Sequence, residues 1–357
     1  MKILYLLGSA DVGGTERQVL GLAQELAIDN EVTVALLRFE GELLEAYKAS
    51  GAQLVDLGIH SGSKKKSILK GILAFRSLIK SGNFELLHMY LPESVILGYV
   101  VVKTIAKKPP IIAGVRGSMW KRGKFTYFIY KFCLRRFDKV VCNSDELRVT
   151  CLDEYKISKH KIQVISNGVT LNSISNDKDY SEIRAVYVAN FHSYKGHEIL
   201  VKAIQEIRSN ITLRLMGEGD TLREVKDMAL DYGLDEKIYF LGRIDPTESY
   251  QWANLMIHPS ETEGMSNSIL EGMSWGLPGI AFDVGGNSEL VKSHFNGLLV
   301  REKSPNALAN AIEGLSREQL ENMGKNSFKK SQNYSWKNLG KKHFELYSKC
   351  LEKKLIN

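Results

Sequence analysis

The sequence has 357 residues, 44% apolar and 25% charged, with 7 prolines and a formal net charge of +7. That length is too great for one ordinary core and suits two domains of roughly 150–200 residues each. The composition is that of a soluble globular protein without a low-complexity tract, and no apolar run reaches the roughly 18 residues a membrane span needs.

The N-terminal KILYLLG (2–8) reads as a short strand that runs into the glycine loop GSADVGGTERQ. The apolar stretch is too short for a signal peptide, so the expected compartment is the cytoplasm. Val19, Leu22, Ala23 and Leu26 then recur at helical spacing, and EVTVALL (31–37) forms a second strand. Strand and helix go on alternating through AQLVDLG, FELLHMY, PIIAGVR, KVVCNS and KIQVISNG. VILGYVVV (95–102), between Glu93 and Lys103, reads as a buried strand or helix. Strands written as continuous apolar runs indicate a parallel sheet covered on both faces.

The stretch 121–139, KRGKFTYFIYKFCLRRFDK, holds seven Lys/Arg, one Asp and six aromatics. It reads as a helix with an apolar core stripe and a cationic, aromatic-rich flank that suits an anionic bilayer surface. The alternative, aromatics in the core and charges in solvent, stays open. KKK (64–66) and KTIAKK (103–108) add charge in the same half. Residues 1–170 carry 25 Lys/Arg against 16 Asp/Glu, a net of +9, whereas residues 171–357 carry 23 against 25, a net of −2. The first half is therefore pointed toward an anionic partner, unless the excess is simply a solvated surface. Nucleic acid is not expected, because no recognised binding motif is present.

The polar stretch 167–183 shows neither period and reads as a linker. The alternation restarts at RAVYVAN (184–190) and continues through ITLRLMGEG, KIYFLGR, LMIHPS, LPGIAF and NGLLV. The expected divisions are a first doubly wound domain over 1–168, a second over 169–335, and a final helix over 336–357 that packs back on the first. Ligand is expected in a central cleft at the carboxyl ends of the two sheets. Cys133, Cys142, Cys151 and Cys350 form no C-x-x-C pair and lack matching histidines, so they read as free thiols packed as small apolar side chains.

The segment HPSETEGMSNSILEGMSWGLPGIAFDVGG (258–286) sets Glu263 and Glu271 eight residues apart around a polar turn. LMIHPS is a strand, ETEGMSNS a loop at its carboxyl end, and NSILEGMSW a helix. The loop thus presents N–H groups at a helix N-terminus, a ready anion site. Gly264 allows close backbone approach, and Ser266, Asn267 and Ser268 can donate or cap. Glu271, one turn inside the helix, is placed to accept two ribose hydroxyls. Taken singly, a Glu pair, a Lys-Gly or a Gly-Gly is commonplace.

Taken in order, these residues resemble the retaining glycosyltransferases of the GT-B fold, family 4, which carry a Glu-x7-Glu signature. Here it runs from Glu263 to Glu271 and is followed by GMSWGLPGIAFDVGGNSELV and NGLLV. DVGGTERQVL (11–20), VISNGV (164–169), VANFHSYKGHEILVKA (188–203), GEGD (217–220) and FLGR (240–243) fall in the same family order. The resemblance implies an α/β, GT-B architecture of two Rossmann-like doubly wound parallel-sheet domains. It also implies that Lys195 contacts the donor diphosphate and Glu271 the ribose. Glu263 and the amides of Gly264, Met265, Ser266 and Asn267 would hold the sugar and the β-phosphate. Gly14 would let the first-domain loop close over the diphosphate, and the loops of Gly217 and Arg243 would frame the base. A fixed ammonium and helix N–H dipoles stabilise a departing diphosphate without a metal. No metal or separate cofactor is therefore expected; the nucleotide sugar, expected to be UDP-linked, is the substrate. Asp177-Lys178-Asp179 reads as linker surface.

Two departures stand out. Asn190 occupies a position where the family usually has arginine, so Arg243 or another cation compensates, or the site is weakened. Arg116 stands where many members have a histidine near the transferred sugar, and it is a candidate for a catalytic or phosphate-binding role. His88 lies elsewhere and reads as structural. The activity expected is transfer of a sugar to a lipid-linked or polysaccharide acceptor in cell-surface glycan synthesis, with peripheral contact to an anionic membrane. The rival readings are a nucleotide-sugar epimerase of the same fold and a degenerate, non-catalytic binding subunit.

Overall fold

The computed structural model describes residues 1–59, 65–117, 123–173 and 178–356. The chain divides into two compact units: Met1–Gly168 joined by the helix that begins at Trp336, and Val169–Ser335.

The first unit is built on strands β1 (Lys2–Leu7), β2 (Glu31–Leu36), β3 (Gln53–Asp56), β4 (Leu86–Tyr90), β5 (Ile111–Val115), β6 (Lys139–Cys142) and β7 (Ile162–Val164). Among the described residues they form one parallel sheet in the order β3-β2-β1-β4-β5-β6-β7. Its helices are α1 (Gly14–Ala27), α2 (Leu44–Lys48), α3 (Lys65–Gly82), α4 (Pro92–Lys103), α5 (Lys124–Leu134) and α6 (Asp145–Asp153). Every residue of β4 and β5 is buried, which is why these strands carry apolar runs and no alternation. α3, α4, α5 and α6 supply the core on one face, through Phe75, Val101, Tyr130 and Cys151. α1 and α2 supply it on the other, through Leu22 and Tyr47. VILGYVVV resolves as α4, with Pro92 in its first turn, where a missing N–H costs nothing.

The second unit repeats the plan with β8 (Ile183–Val188), β9 (Ile211–Met216), β10 (Ile238–Gly242), β11 (Leu255–His258), β12 (Gly279–Phe282) and β13 (Gly297–Val300). Their order is β10-β9-β8-β11-β12-β13, again parallel. Its helices are α7 (His197–Glu206), α8 (Leu222–Asp231), α9 (Thr247–Trp252), α10 (Asn267–Ser274), α11 (Asn287–Leu290), α12 (Pro305–Glu313) and α13 (Arg317–Ser331). Ser304 caps α12, and a Ser316–Gln319 capping box starts α13; each satisfies N–H groups the helix leaves over. α14 (Trp336–Ile356) returns to the first unit and packs along α1. Gly21 makes this approach possible, since a Cβ there would sit 2.3 Å from the Trp336 ring.

All four cysteines are buried, and none is joined in a disulfide. Among the described residues, no helix is long and apolar enough to cross a membrane.

Candidate functional site

In the second sheet β8 and β11 are neighbours, yet the helices that follow them lie on opposite faces, α7 in one core cluster and α10 in the other. A strand order that reverses in this way opens a crevice at the carboxyl ends of the two strands. The loops 189–196 and 259–266 border it.

The β8 loop ends in a single 3₁₀ turn, Ser193–Lys195, held by the Tyr187 hydroxyl donating to the Lys195 carbonyl at 2.8 Å. Gly196 follows with φ +70°, and a Cβ there would come within 2.2 Å of the Pro259 carbonyl oxygen. Only glycine lets the two loops meet. This contact carries Lys195 to Glu263, with Nζ to Oε1 at 2.5 Å and side-chain exposures of 17% and 12%.

Glu263 accepts a second hydrogen bond on the same oxygen, from His258 Nε2 at 3.0 Å. Because the Glu263 carboxylate can only accept, it keeps the His258 proton on Nε2, and Nδ1 of the neutral ring accepts from the Ser268 hydroxyl at 3.3 Å. Burial pushes His258 below its ordinary value, and it stands neutral. Burial by itself would raise the Glu263 carboxyl, but the His258 hydrogen bond, the charge His258 gains once acid protonates it, and the Lys195 ammonium outweigh it and hold the pKa down at about 2. Lys195 and Glu263 thus meet as an ion pair at a partly solvated rim.

Helix α10 begins beside this pair. Ser266 is its N-cap, accepting from the Ile269 N–H at 3.3 Å, and Asn267 is its first residue. The Met265 side chain is buried in the core, so Met265 can face a ligand only through its backbone. The Gly264 carbonyl accepts from Gly286 N–H at 2.6 Å, which ties the Glu263 loop to the Gly-Gly turn after β12. Glu271 is half-buried, one turn into α10, and its Oε2 accepts from the Tyr250 hydroxyl of α9 at 3.1 Å.

On the other side of β8, Gly217 has φ +140° and donates to the Gly242 carbonyl at 2.9 Å. Asn190 is exposed in the adjoining loop, and its carbonyl accepts from His192 N–H. Arg243 is exposed just after β10, the edge strand, with β9 and β8 between it and β11 in the sheet. The structure therefore gathers Lys195, Glu263, Gly264, Ser266, Asn267 and Glu271, flanks them with Asn190 and Gly217, and leaves Arg243 at the outer strand.

Gly14 and Arg116 belong to the first unit. Gly14 is the first residue of α1. Arg116, after β5, donates from Nη1 to Asn167 Oδ1 at 2.7 Å and lies 5.4 Å from the Tyr90 ring centroid. Of Asp177-Lys178-Asp179, Asp177 lies outside the described residues. Lys178 donates to the carbonyls of Ala253 and Trp275, while Asp179 is exposed and pairs with Arg184. Lys64, Lys121 and Arg122 also lie outside the described residues. Among the described residues, no three His, Cys, Asp or Glu are grouped to hold a metal ion.

Three partners were not anticipated: His258, Tyr250 and Tyr187. A histidine five residues before Glu263, at the end of a strand, is a signal for the first. Nothing local marks the two tyrosines, whose hydroxyls act across 21 and 8 residues of chain.

Residues 12–173 match the family described as Glycosyltransferase Family 4, and residues 182–318 match glycosyl transferases group 1. The sequence is 28% identical over 268 residues to an uncharacterized glycosyltransferase of Methanocaldococcus jannaschii, spanning 73% of this chain and 74% of that one. It is 24% identical over 284 residues to the Escherichia coli UDP-Gal:alpha-D-GlcNAc-diphosphoundecaprenol alpha-1,3-galactosyltransferase, spanning 72% and 73%. In fold it is similar to Anabaena HepE, solved in complex with UDP, with a TM-score of 0.85 at 19% identity over 98% of this chain and all of that one. It is likewise similar to a Rickettsia africae glycosyltransferase, with a TM-score of 0.83 at 21% identity over 98% of both.

Proposed function

Because the chain belongs to the family 4, group 1 glycosyltransferases, we propose that it moves a sugar from a UDP-sugar to a lipid-linked or polysaccharide acceptor, retaining the anomeric configuration and using no metal. Neither an epimerase nor a non-catalytic subunit is favoured by the family membership or by the relatives.

One observation carries the proposal: an ionised Lys195–Glu263 pair, set by a neutral His258, at the switch point of the second sheet and beside the capped start of α10. In the proposed reaction the bond between the sugar C1 and the donor β-phosphate oxygen breaks, and a bond from C1 to the acceptor oxygen forms. The acceptor's proton ends on the departing nucleoside diphosphate. Negative charge grows on that leaving group, and Lys195, whose ammonium keeps further N–H donors beside Glu263, and the α10 N-terminus stabilise it in place. Glu271, steadied by Tyr250, accepts ribose hydroxyls, and Glu263 orients the sugar. Arg116 remains a candidate for an acceptor or donor phosphate. The donor reading is supported by the UDP-galactose in the E. coli relative's name and by the UDP in the HepE complex, and the acceptor reading by that relative's diphosphoundecaprenol.

We place the reaction at the cytoplasmic face of a membrane, where the +9 first half meets anionic lipid. Purified protein incubated with a panel of nucleotide sugars, with and without lipid-linked acceptor, is expected to release UDP from one donor in an acceptor-dependent way, with chelator present. No release from any donor would sink the catalytic reading, and strict dependence on added magnesium or manganese would sink the metal-free one.

A further inference from the structure

Three neighbouring helices of the first unit carry apolar side chains that the core does not use. On α5, Phe125, Phe128 and Phe132 are 78%, 64% and 50% exposed, while Tyr130, Cys133 and Leu134 fill the core. Spacings of three and four residues put the three phenylalanines on one flank. On α3, Ile68, Leu69 and Leu73 face outward while Phe75 and Ile79 face in. α4 packs against both helices and exposes Val100. Arg76 of α3 donates to Thr104 at the end of α4, and Tyr99 of α4 meets Phe132 of α5 edge-on at 6.3 Å. These contacts join the three helices into one surface.

The same surface is cationic. Lys66, Lys70 and Lys80 on α3, Lys103 on α4, Lys124 on α5 and Arg136 just after it are exposed, and neither α3 nor α5 contains an Asp or Glu. The Arg136 guanidinium lies 3.5 Å over the Phe132 ring, so charge and apolar surface interleave. An acidic protein partner would answer the lysines but leave the phenylalanines without an apolar environment. A second copy would set one cationic face against another. An anionic bilayer supplies both, phosphates at the headgroups and hydrocarbon just beneath, where aromatic side chains settle.

We propose that the α3–α4–α5 face is a membrane-insertion surface, with Phe125, Phe128 and Phe132 entering the boundary between headgroups and acyl chains of an anionic bilayer. It rests on the reading that the first unit meets a membrane, but it adds penetration to what charge alone would do. Adsorption by lysines is screened by salt, whereas buried apolar area is not.

The test uses the full chain and vesicles of phosphatidylcholine with or without phosphatidylglycerol. The intact protein is expected to sediment with the anionic vesicles, retaining part of that binding at high salt. The F125S/F128S/F132S variant is expected to bind at least tenfold more weakly with UDP affinity unchanged, since the three rings lie outside the core. Phe128→Trp should shift its emission to the blue on vesicle binding and be quenched by brominated acyl chains. Replacing Lys124 and Lys131 with serine should lower binding mainly at low salt. Binding that high salt abolishes, with no quenching and no effect of the triple serine variant, overturns insertion while leaving the membrane reading standing. Absence of binding to either vesicle overturns both. Concentration-dependent self-association of the intact protein that the triple variant abolishes, without vesicle binding, would assign the face to a second copy instead.

Discussion

In the first unit Tyr5, His88, Tyr90, His343 and Tyr347 form a cluster of rings with no solvent exposure. Tyr347 lies 2.8 Å from His88 Nδ1 and 3.2 Å from the Tyr5 hydroxyl, and His88 stacks on Tyr90 at 4.2 Å. Burial drives His88 and His343 well below the ordinary histidine value and pushes Tyr90 up to about 12, so every member is neutral near pH 7. In the second unit Lys195 and Glu263 stay charged, 17% and 12% exposed, with only His258 sealed behind them. The two polar clusters differ in ionic state because they differ in access. Rings sealed from water must discharge, and what remains is a fastener that holds α14 to β1 and β4. A pair at a rim can keep its charges and offer them to a ligand.

The largest expected effect comes from discharging the second cluster. Glu263→Gln leaves the Lys195 ammonium without its counter-ion, a change that costs about 3 kcal/mol of stability when such a pair is mostly buried. Turnover should fall with it, because the sugar and Lys195 lose their shared anchor. The pH dependence gives a separate check. Glu263 titrates at about 2 in the fold against an ordinary 4.5, so its contribution is complete above about pH 4.5 and is lost as pH falls toward 2. Urea unfolding across that window should show the loss in the intact protein and a shallower loss in the variant. An unchanged acid limb would mean that Glu263 is not held as an anion.

Glu271→Ala comes next. Ribose hydroxyls bonded to a carboxylate contribute roughly 1.5–3 kcal/mol each, so UDP affinity should fall about ten- to a hundredfold. Unchanged affinity by calorimetry, in a variant that still folds, would remove Glu271 from the site.

The sequence made one of these clusters readable and hid the other. Glu263, Glu271 and Lys195 stand in short ordered motifs, and the strand–loop–helix context of Glu263 follows from apolar runs and a serine cap. The ring cluster is assembled from positions 5, 88, 90, 343 and 347, and no local period reports a pairing across 259 residues. Tyr250 and Glu271 meet in the same long-range way. The stretch 121–139 shows a different limit. Phe125, Phe128 and Phe132 and the inward Tyr130, Cys133 and Leu134 are all apolar, so hydrophobic spacing alone could not separate the solvent face from the core.

The first cluster can be probed by making it less polar. Both ring nitrogens of His343 lack a hydrogen-bond partner among the described residues. His343→Leu should therefore leave stability near pH 7 unchanged or slightly raised, since it removes buried donors that nothing satisfies. Below pH 6.5 the unfolded chain protonates His343 and the folded one does not, so the stability that His343 controls falls as pH falls and is flat above that window. Each such histidine adds about 1.4 kcal/mol per pH unit to the slope, and the variant should lack one histidine's share. A slope that does not change would show that His343 is reached by protons in the folded state.

The smallest effect separates orienting from sealing. The Tyr250 hydroxyl donates to Glu271 Oε2 at 3.1 Å, and Glu271 is only half-buried. With the hydroxyl gone, water can replace it on the carboxylate, so Tyr250→Phe forfeits about 1 kcal/mol or less of net hydrogen bonding. UDP affinity should then drop about threefold to fivefold, with stability little changed. Tyr347→Phe is the counterpart in the first unit, where no water can replace the hydroxyl between Tyr5 and His88. It should lower stability by about 1–2 kcal/mol and leave UDP affinity alone. If Tyr250→Phe weakens UDP as much as Glu271→Ala does, the hydroxyl itself touches the nucleotide. If it changes nothing, α10 alone orients Glu271, and the buried tyrosine is a packing residue like those beneath α14.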